Sequence, residues 1–139
     1  MIQLTYPLLA NLIVNHPDVR PTMEKGEHFL DSTEIVSNPE NVVFADEHTV
    51  IIFIGKGEGR FGIHLASMPE GRGAAVLKAL RSALDRLFRD HGAVAVEAAI
   101  PLQLREVGFL ARRLGFRSLG IAEDKPVEMF IMEAESWAA

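Results

Sequence analysis

Hydrophobic residues change their spacing along the chain, and this spacing predicts the order of the secondary-structure elements. Two strand-like apolar runs occupy residues 42–44 and 49–54, and a third follows at residues 61–67. Turn-forming residues separate the three runs, with Asp46 to His48 in the first gap and a glycine-rich segment in the second. The pattern therefore predicts a meander of three antiparallel strands.

The hydrophobic spacing then becomes that of a helix. Between residues 71 and 91, apolar residues recur at every third or fourth position and charged residues take the opposite side, which predicts a long amphipathic helix ending before Gly92. Residues 93–100 are almost all apolar apart from Glu97, as in a strand that is covered on both faces. We expect this strand to lie parallel to strand 61–67, joined to it by a right-handed crossover through the helix.

Shorter elements precede this central unit. The sequence predicts a strand at residues 2–4 and a helix at residues 7–15, with Thr5 as its cap. Residues 17–41 are predicted to be a loop with a helical turn near residues 23–30. A loop of this length either serves a function or contains an undetected element.

A helix and a last pair of strands complete the predicted fold. Pro101 suits the first position of this helix, and Gly115 suits the left-handed position at its end. Residues 116–122 and 127–134 are predicted to form an antiparallel pair. The predicted inner stripe of the helix consists of Leu104, Val107, Leu110 or Ala111, and Leu114.

These elements add up to a single α/β domain over residues 1–139, with a mixed sheet (β-meander, then β-α-β, α and β-β) and helices on both faces. The 48% hydrophobic content excludes a disordered chain, and the absence of cysteine excludes disulfides and thiolate zinc sites. A net charge of −5 argues against nucleic acid as a partner. With neither a long apolar stretch nor a basic N-terminal region, we expect a cytoplasmic protein without membrane association. We expect no metal, since no ligand spacing is found for His16, His28, His48 and His91.

The segment from Ile63 to Leu80 carries the most chemical information. A strand runs into a glycine-containing turn, which opens directly into the long helix. The first N–H groups of a helix lack internal partners, and the helix dipole adds a partial positive charge there. Together with the charge of Arg72, such a turn can bind a pyrophosphate, although an ordinary strand–helix turn shows the same pattern.

This segment resembles motif A of the GNAT superfamily of acetyl-CoA-dependent N-acetyltransferases. The segment 109–116, followed by Gly120, is similar to the late motif of that family, and the order of elements from residue 42 onward also fits its topology. Residues 16–21 and 62–64 resemble a divergent, phage-type branch. The residues that match motif A in register are Pro69, Glu70, Arg72, Gly73, Ala79 and Leu80.

The resemblance implies an enzyme that moves an acetyl group from acetyl-CoA to a primary amine by direct attack. It also implies that strands 61–67 and 94–100 splay apart into a V-shaped cleft. Backbone groups near Leu65 and Ser67 would then pair with pantetheine. The pyrophosphate would be held by Gly71, Arg72, Gly73, Ala74, Ala75 and Val76.

His64 and Glu97 are the candidate catalytic residues. His64 lies on the strand that would flank the thioester, and an imidazole with a pKa near ~6.5 can accept the proton of the amine. A packed histidine bonded to a backbone carbonyl is the alternative. Glu97 is an acid within an apolar strand, so it is either functional or paired with an arginine. Ser67 is a further candidate for protonating the leaving thiolate.

Four positions depart from the family pattern and keep a second hypothesis open. Ala75 and Leu77 stand where small glycine-like residues are usual, and Leu77 can crowd a phosphate. Ala111 occupies the position of the catalytic tyrosine, and Leu104 that of the usual asparagine. The alternative is therefore a catalytically impaired CoA-binding, interaction or assembly module. The sequence leaves the amine acceptor unidentified, and a homodimer remains open because Trp137 can pack on the sheet or on a second subunit.

Overall fold

The computed structural model describes residues 1–5, 7–20, 31–69 and 72–138. These residues form one mixed sheet of seven strands with helices on both sides. The elements in chain order are β1 (Ile2–Gln3), α1 (Leu8–Val14), α2 (Thr33–Ser37), β2 (Val42–Ala45), β3 (Thr49–Gly57), β4 (Arg60–Ser67), α3 (Ala74–Asp90), β5 (Ala95–Pro101), α4 (Arg105–Leu114), β6 (Arg117–Ile121), β7 (Val127–Glu133) and α5 (Ala134–Ala138).

The strands are arranged in the order β1-β2-β3-β4-β5-β7-β6. Strands β2, β3 and β4 form the predicted antiparallel meander, and β5 lies parallel to β4 as predicted. The last antiparallel pair is also confirmed, with β7 placed between β5 and β6. Strand β7 therefore covers the whole outer edge of β5, through seven residue pairs from Ala95 to Pro101.

Alternation of side chains along the strands gives the sheet two apolar faces. One face, which we call the α3 face, carries Phe53, Phe61 and Val96 and is covered by α3 and α4. The opposite α1 face carries Ile52 and Ala66 and packs against α1 and α2. The predicted placement of helices on both faces is confirmed.

The N-terminal third departs from the predicted elements at two places. Helix α2 lies within the predicted loop of residues 17–41. The helical turn expected near residues 23–30 lies outside the described residues. Helix α1 begins at Leu8 with Pro7 as its N-cap, so the prediction of Thr5 as the cap is wrong. The ring of Pro7 has no N–H to leave unsatisfied, which suits it to this position.

The C-terminal half departs at the start of α4. Pro101 ends β5 rather than beginning the helix, because the chain keeps pairing with β7 and the Leu102 N–H donates to the Pro126 carbonyl at 2.9 Å. Leu104 is the N-cap of α4 and remains 41% exposed, so it does not join the inner stripe. Gly115 ends the helix at φ 98°, in the predicted left-handed conformation.

Trp137 lies in α5, an element that the sequence did not predict. Its indole stacks on Phe88 of α3 with 6.1 Å between ring centroids, and its Nε1 donates to the Asp85 carboxylate at 2.7 Å. The sequence left the sheet and a second subunit open as supports for Trp137; within the chain, the indole packs on α3, and the second subunit stays a prediction. These two contacts attach the C-terminal segment to α3.

Candidate active site

Strands β4 and β5 separate partway along their length. They pair only at Arg60–Ala95, Phe61–Val96 and Gly62–Glu97. Beyond these three pairs, residues 63–67 of β4 continue to pair with β3, and residues 98–101 of β5 continue to pair with β7. The V-shaped gap implied by the sequence motifs is therefore present.

Backbone groups of β4 point into this gap. The Met68 N–H donates to the His48 carbonyl at 2.7 Å, which makes this a hydrogen-bonded pair of the antiparallel β3–β4 ladder. Because such pairs alternate along a ladder, His64 and Ala66 also direct their backbone groups to β3. The backbone N–H and C=O groups of the residues between them, at 63, 65 and 67, are thus directed towards β5.

The opposite edge of the gap is built in the same way. The Ala134 N–H donates to the Val94 carbonyl at 2.9 Å, and the Leu102 N–H donates to the Pro126 carbonyl at 2.9 Å. Alternation between these two bonds directs the backbone groups of Ala99 away from β7 and into the gap. An extended ligand between the strands would therefore meet free donors and acceptors on both sides.

Helix α3 begins at the same end of β4. Its N-cap is Gly73, whose φ of 77° and ψ of −135° define a conformation that residues with a side chain rarely adopt. The Val76 N–H donates back to the Gly73 carbonyl at 3.2 Å. Within the described residues, the amides of Ala74 and Ala75 have no acceptor, and both residues are exposed. Gly71 of the predicted pyrophosphate site lies outside the described residues.

Arg72 and Ser67 connect the end of β4 to its surroundings. The Arg72 Nε donates to the Ser67 carbonyl at 3.2 Å, and its Nη2 donates to the Asp18 carbonyl at 2.8 Å. The Ser67 hydroxyl is buried and shares a 2.9 Å hydrogen bond with the Thr49 hydroxyl. The side chains of Arg72 and Ser67 are thus both engaged in hydrogen bonds within the protein. Among the described residues beside them, the backbone amides of Ala74 and Ala75 are the polar groups that remain free.

His64 stands on the α1 face of β4, just beyond the last residue pair with β5. The residue is exposed, yet neighbouring atoms shield part of its imidazole. This partial desolvation lowers the pKa of His64 below its ordinary 6.5, and the nearby charge of Lys56 lowers it further. The imidazole is therefore neutral at pH 7 and able to accept a proton.

Glu97 lies on the same face, at the last β4–β5 residue pair. Its carboxylate accepts a 2.9 Å hydrogen bond from the Lys56 Nζ and a second hydrogen bond from the Arg60 Nη2. These bonds, from Lys56 first and Arg60 second, hold the pKa of Glu97 below 4.5 despite partial burial. Of the two alternatives predicted for Glu97, the structure shows the ion-paired one.

Lys56 and Arg60 lie beside the gap, and the sequence did not reveal their contact with Glu97, since residues 55–60 read as a flexible hairpin. The Lys56 stem crosses the sheet over Gly62, where a Cβ would come within 3.1 Å of the Lys56 Cε. Gly62 thus leaves room for the lysine to reach Glu97. In the sequence, the sign of this arrangement was Glu97 itself. It is the one acid in an apolar strand, and such a carboxylate requires cationic partners.

Helix α4 supplies no catalytic hydroxyl. Ala111, at the tyrosine position of the late motif, is buried at 7% exposure against the α3 face. The only tyrosine of the chain, Tyr6, lies outside the described residues. Leu77 is half-buried in the first turns of α3.

Comparisons with known proteins point to one fold. No family model matches the sequence, and no curated protein matches it. The structure is similar to that of spermidine N-acetyltransferase SpeG from Vibrio cholerae in complex with CoA and spermine, with a TM-score of 0.65, 13% identity, and coverage of 76% of this chain and 73% of SpeG. It is also similar to that of N-acetyltransferase PseH from Campylobacter jejuni in complex with acetyl coenzyme A, with a TM-score of 0.60, 15% identity, and coverage of 72% of each chain.

Among the described residues, no helix is both long and apolar enough to cross a membrane. The gap between β4 and β5, the start of α3 beside it and the similarity to two acetyltransferase structures all agree with the motifs found in the sequence. Strand order, helix placement and coverage together show that this chain has the GNAT N-acetyltransferase fold.

Proposed function

We propose that the protein is an N-acetyltransferase that moves an acetyl group from acetyl-CoA to a primary amine. The observation that carries this proposal is the separation of β4 from β5 after three residue pairs, directly beside the start of α3. A fully paired sheet would leave no slot for pantetheine. Here the slot and an anion-binding helix terminus lie at the same corner, as a nucleotide with a long arm requires.

The chain offers separate groups for the parts of acetyl-CoA. Leu65 and Ser67 present backbone groups to the amides of pantetheine, which would be held like an added strand. Because Arg72 already occupies the Ser67 carbonyl, the Ser67 N–H and both Leu65 groups are the free partners. The free amides of Ala74 and Ala75 would hold the pyrophosphate, because the N–H groups of Arg72 and Val76 already donate to the carbonyls of Pro69 and Gly73.

His64 is the proposed base. The attacking nitrogen must be neutral, and a neutral imidazole exposed beside the gap can take its proton. Glu97 is a poorer candidate, because two cations stabilise its carboxylate and weaken it as a proton acceptor. As the C–N bond forms and the thioester C–S bond breaks, backbone N–H groups of β4 stabilise the charge on the carbonyl oxygen. The leaving thiolate takes its proton from solvent, since the Ser67 hydroxyl is engaged with Thr49.

A second candidate function is a CoA-binding module without catalysis. It is favoured by Ala111, which places a buried methyl group where the family motif has a hydroxyl. Both candidates require the same CoA site, so binding and turnover must be measured separately. The narrower assignment to a phage-type branch stays a prediction.

Thermal unfolding with and without acetyl-CoA tests the binding step. Ligand at about 100 times its Kd should stabilise the protein by about 2.7 kcal/mol, which for a domain of this size raises Tm by about 8–10 °C. Turnover is then followed by thiol release in the presence of a primary amine, and the chain contributes no background because it has no cysteine. No shift at millimolar acetyl-CoA would contradict both functions, whereas a shift without thiol release would favour the binding module.

A further inference from the structure

Among the described residues, the gap between β4 and β5 is open on one face of the sheet. On the α3 face, helices α3 and α4 cover the strands beside the gap, and Phe61, Ala98 and Ile100 are buried beneath them. On the α1 face, His64 and Ala99 on the two sides of the gap are exposed. An amine that reaches a thioester in the gap must therefore approach across the α1 face.

The charged groups beside this entrance carry an excess of positive charge. Among the described strand residues of the α1 face next to the gap, Lys56 and Arg60 are cationic and Glu97 is the one acid. The side chains of Lys56 and Arg60 are 44% and 50% exposed, whereas that of Glu97 is only 14% exposed. The acid is thus covered by its partners, and the surface that a ligand meets is cationic.

Within the described strands, the next charges along this face do not reverse this excess. Farther along the same face, Arg117 and Glu133 neutralise each other through a 2.6 Å contact. His64 adds no charge at pH 7, because burial and Lys56 keep its pKa low. The entrance of the gap therefore has a local charge of about +1 among the described strand residues, counted as two cations against one carboxylate.

We propose that the acceptor is a primary amine that also carries an anionic group, and that Lys56 and Arg60 bind this group beside the gap. This inference rests on the proposed acetyltransferase function. An arginine and a lysine on one surface can bind a carboxylate or a phosphoryl group through charge-assisted hydrogen bonds. A second ammonium group in the same place would be repelled, so polyamines such as the spermine bound by SpeG are disfavoured here.

The same cations assist the chemistry of the amine. A nearby positive charge lowers the pKa of an ammonium group and so increases the fraction that is neutral and able to attack. The anionic group of the acceptor supplies the attraction that brings the amine to this surface. Binding and deprotonation are thus served by one pair of side chains.

A matched series of amines tests the proposal. The four probes are 4-aminobutyrate, 3-aminopropylphosphonate, butylamine and 1,4-diaminobutane, in which three methylenes join the acceptor amine to a carboxylate, a phosphonate, a methyl or an aminomethyl group. We expect kcat/KM to be about tenfold higher for at least one of the two anionic amines than for butylamine, and lowest for 1,4-diaminobutane. Comparing 4-aminobutyrate with 3-aminopropylphosphonate shows which anionic group the site prefers.

Charge variants give the matched controls. Lys56→Gln and Arg60→Gln should each reduce the preference for the anionic amine over butylamine by about three- to tenfold, whereas Glu97→Gln should increase it. Arg89→Gln, which removes an exposed cation paired with Asp90 at the far end of α3, should leave the preference unchanged. A thermal melt of each variant identifies any that do not fold. Lys56→Gln and Glu97→Gln are expected to change the preference for the anionic amine in opposite directions, which a general loss of stability would not produce.

The outcomes separate this inference from the function on which it rests. If acetyl-CoA neither stabilises the protein nor releases thiol with any probe, the acetyltransferase proposal is overturned and the acceptor proposal with it. If amines are acetylated but butylamine or 1,4-diaminobutane is preferred, the acceptor proposal alone is overturned. If CoA binds without turnover, the affinities of the four probes for the CoA-loaded protein are measured instead, and the same order supports the cationic site.

Discussion

Strand β4 has two halves that differ in the strands with which they pair. In its first half, residues 60–62 pair with both β3 and β5, and the Glu97 carboxylate with Lys56 and Arg60 joins the strands across the α1 face. In its second half, residues 64–67 form residue pairs with β3 alone, and the N–H and C=O of Leu65 and the N–H of Ser67 face the gap without a strand partner. The first half stabilises the fold, whereas the second half leaves unsatisfied hydrogen-bonding groups that a ligand can use.

The difference shows how a sheet can hold a ligand without losing its stability. Strand β5 stays attached beyond the split because β7 pairs with it along its whole length. The three residue pairs with β4 and the ion pairs beside them fix where the separation begins. Strand β4 therefore holds β3 and β5 together in its first half and leaves space for a ligand beside its second half.

Proline substitutions on the two sides of β4 should separate these roles most strongly. Ala66→Pro removes an N–H that pairs with β3 and should destabilise the protein by about 3 kcal/mol or more. Leu65→Pro imposes the same backbone restriction but removes an N–H that faces the gap, so it should fold and lose acetyl-CoA binding. Chemical unfolding and calorimetric titration measure the two effects, and equal destabilisation by both variants would contradict the assignment of the two edges.

Replacing His64 should reduce turnover by about 100-fold if it is the base. His64→Gln keeps a polar side chain of similar size on an exposed position, so the free energy of unfolding and the affinity for acetyl-CoA should change little. Steady-state kinetics with a primary amine, beside a thermal melt, measure both. A variant that is destabilised but equally active would instead support the packed-histidine alternative.

Gly73→Ala should weaken CoA binding and destabilise the start of α3. A side chain at φ 77° and ψ −135° costs about 1–3 kcal/mol, so the N-cap would change conformation and move the free amides of Ala74 and Ala75. Gly92→Ala is the matched control, because Gly92 also has a positive φ, of 63°, but follows the other end of the helix. Both variants should lose stability in urea, and only Gly73→Ala should lose affinity for acetyl-CoA; equal affinities in the two would refute the pyrophosphate site.

The smallest expected effect concerns the pH dependence of turnover. His64 must be neutral to accept a proton, so kcat/KM should fall as the pH drops through its lowered pKa. Lys56→Met removes a positive charge that lowers this pKa, so the acid limb should move to higher pH. Burial is the larger cause of the lowered pKa and remains in the variant, which makes the displacement modest. An acid limb that stays in place would show that another group titrates in this range.

The sequence predicted the central β-α-β unit because its apolar periodicity is strong and continuous. It misplaced the start of α4, since Pro101 suits both a first helical turn and the end of a strand that pairs with β7. Helix α2 was missed because its five residues carry little periodicity. For the site, the motifs indicated the split strands, but the contact of Lys56 and Arg60 with Glu97 depends on the register of β3, β4 and β5, which spacing along the chain does not encode.

Hydrogen exchange of the β4 amides, resolved residue by residue, tests the central claim most directly. In the free protein, the amides of His64 and Ala66 should exchange slowly because they pair with β3, whereas those of Leu65 and Ser67 should exchange fast. Saturating acetyl-CoA should slow the exchange at Leu65 and Ser67 and change little at the two paired positions. Unchanged exchange at Leu65 and Ser67 in the presence of bound acetyl-CoA would contradict the proposal that the open edge of β4 holds the pantetheine arm.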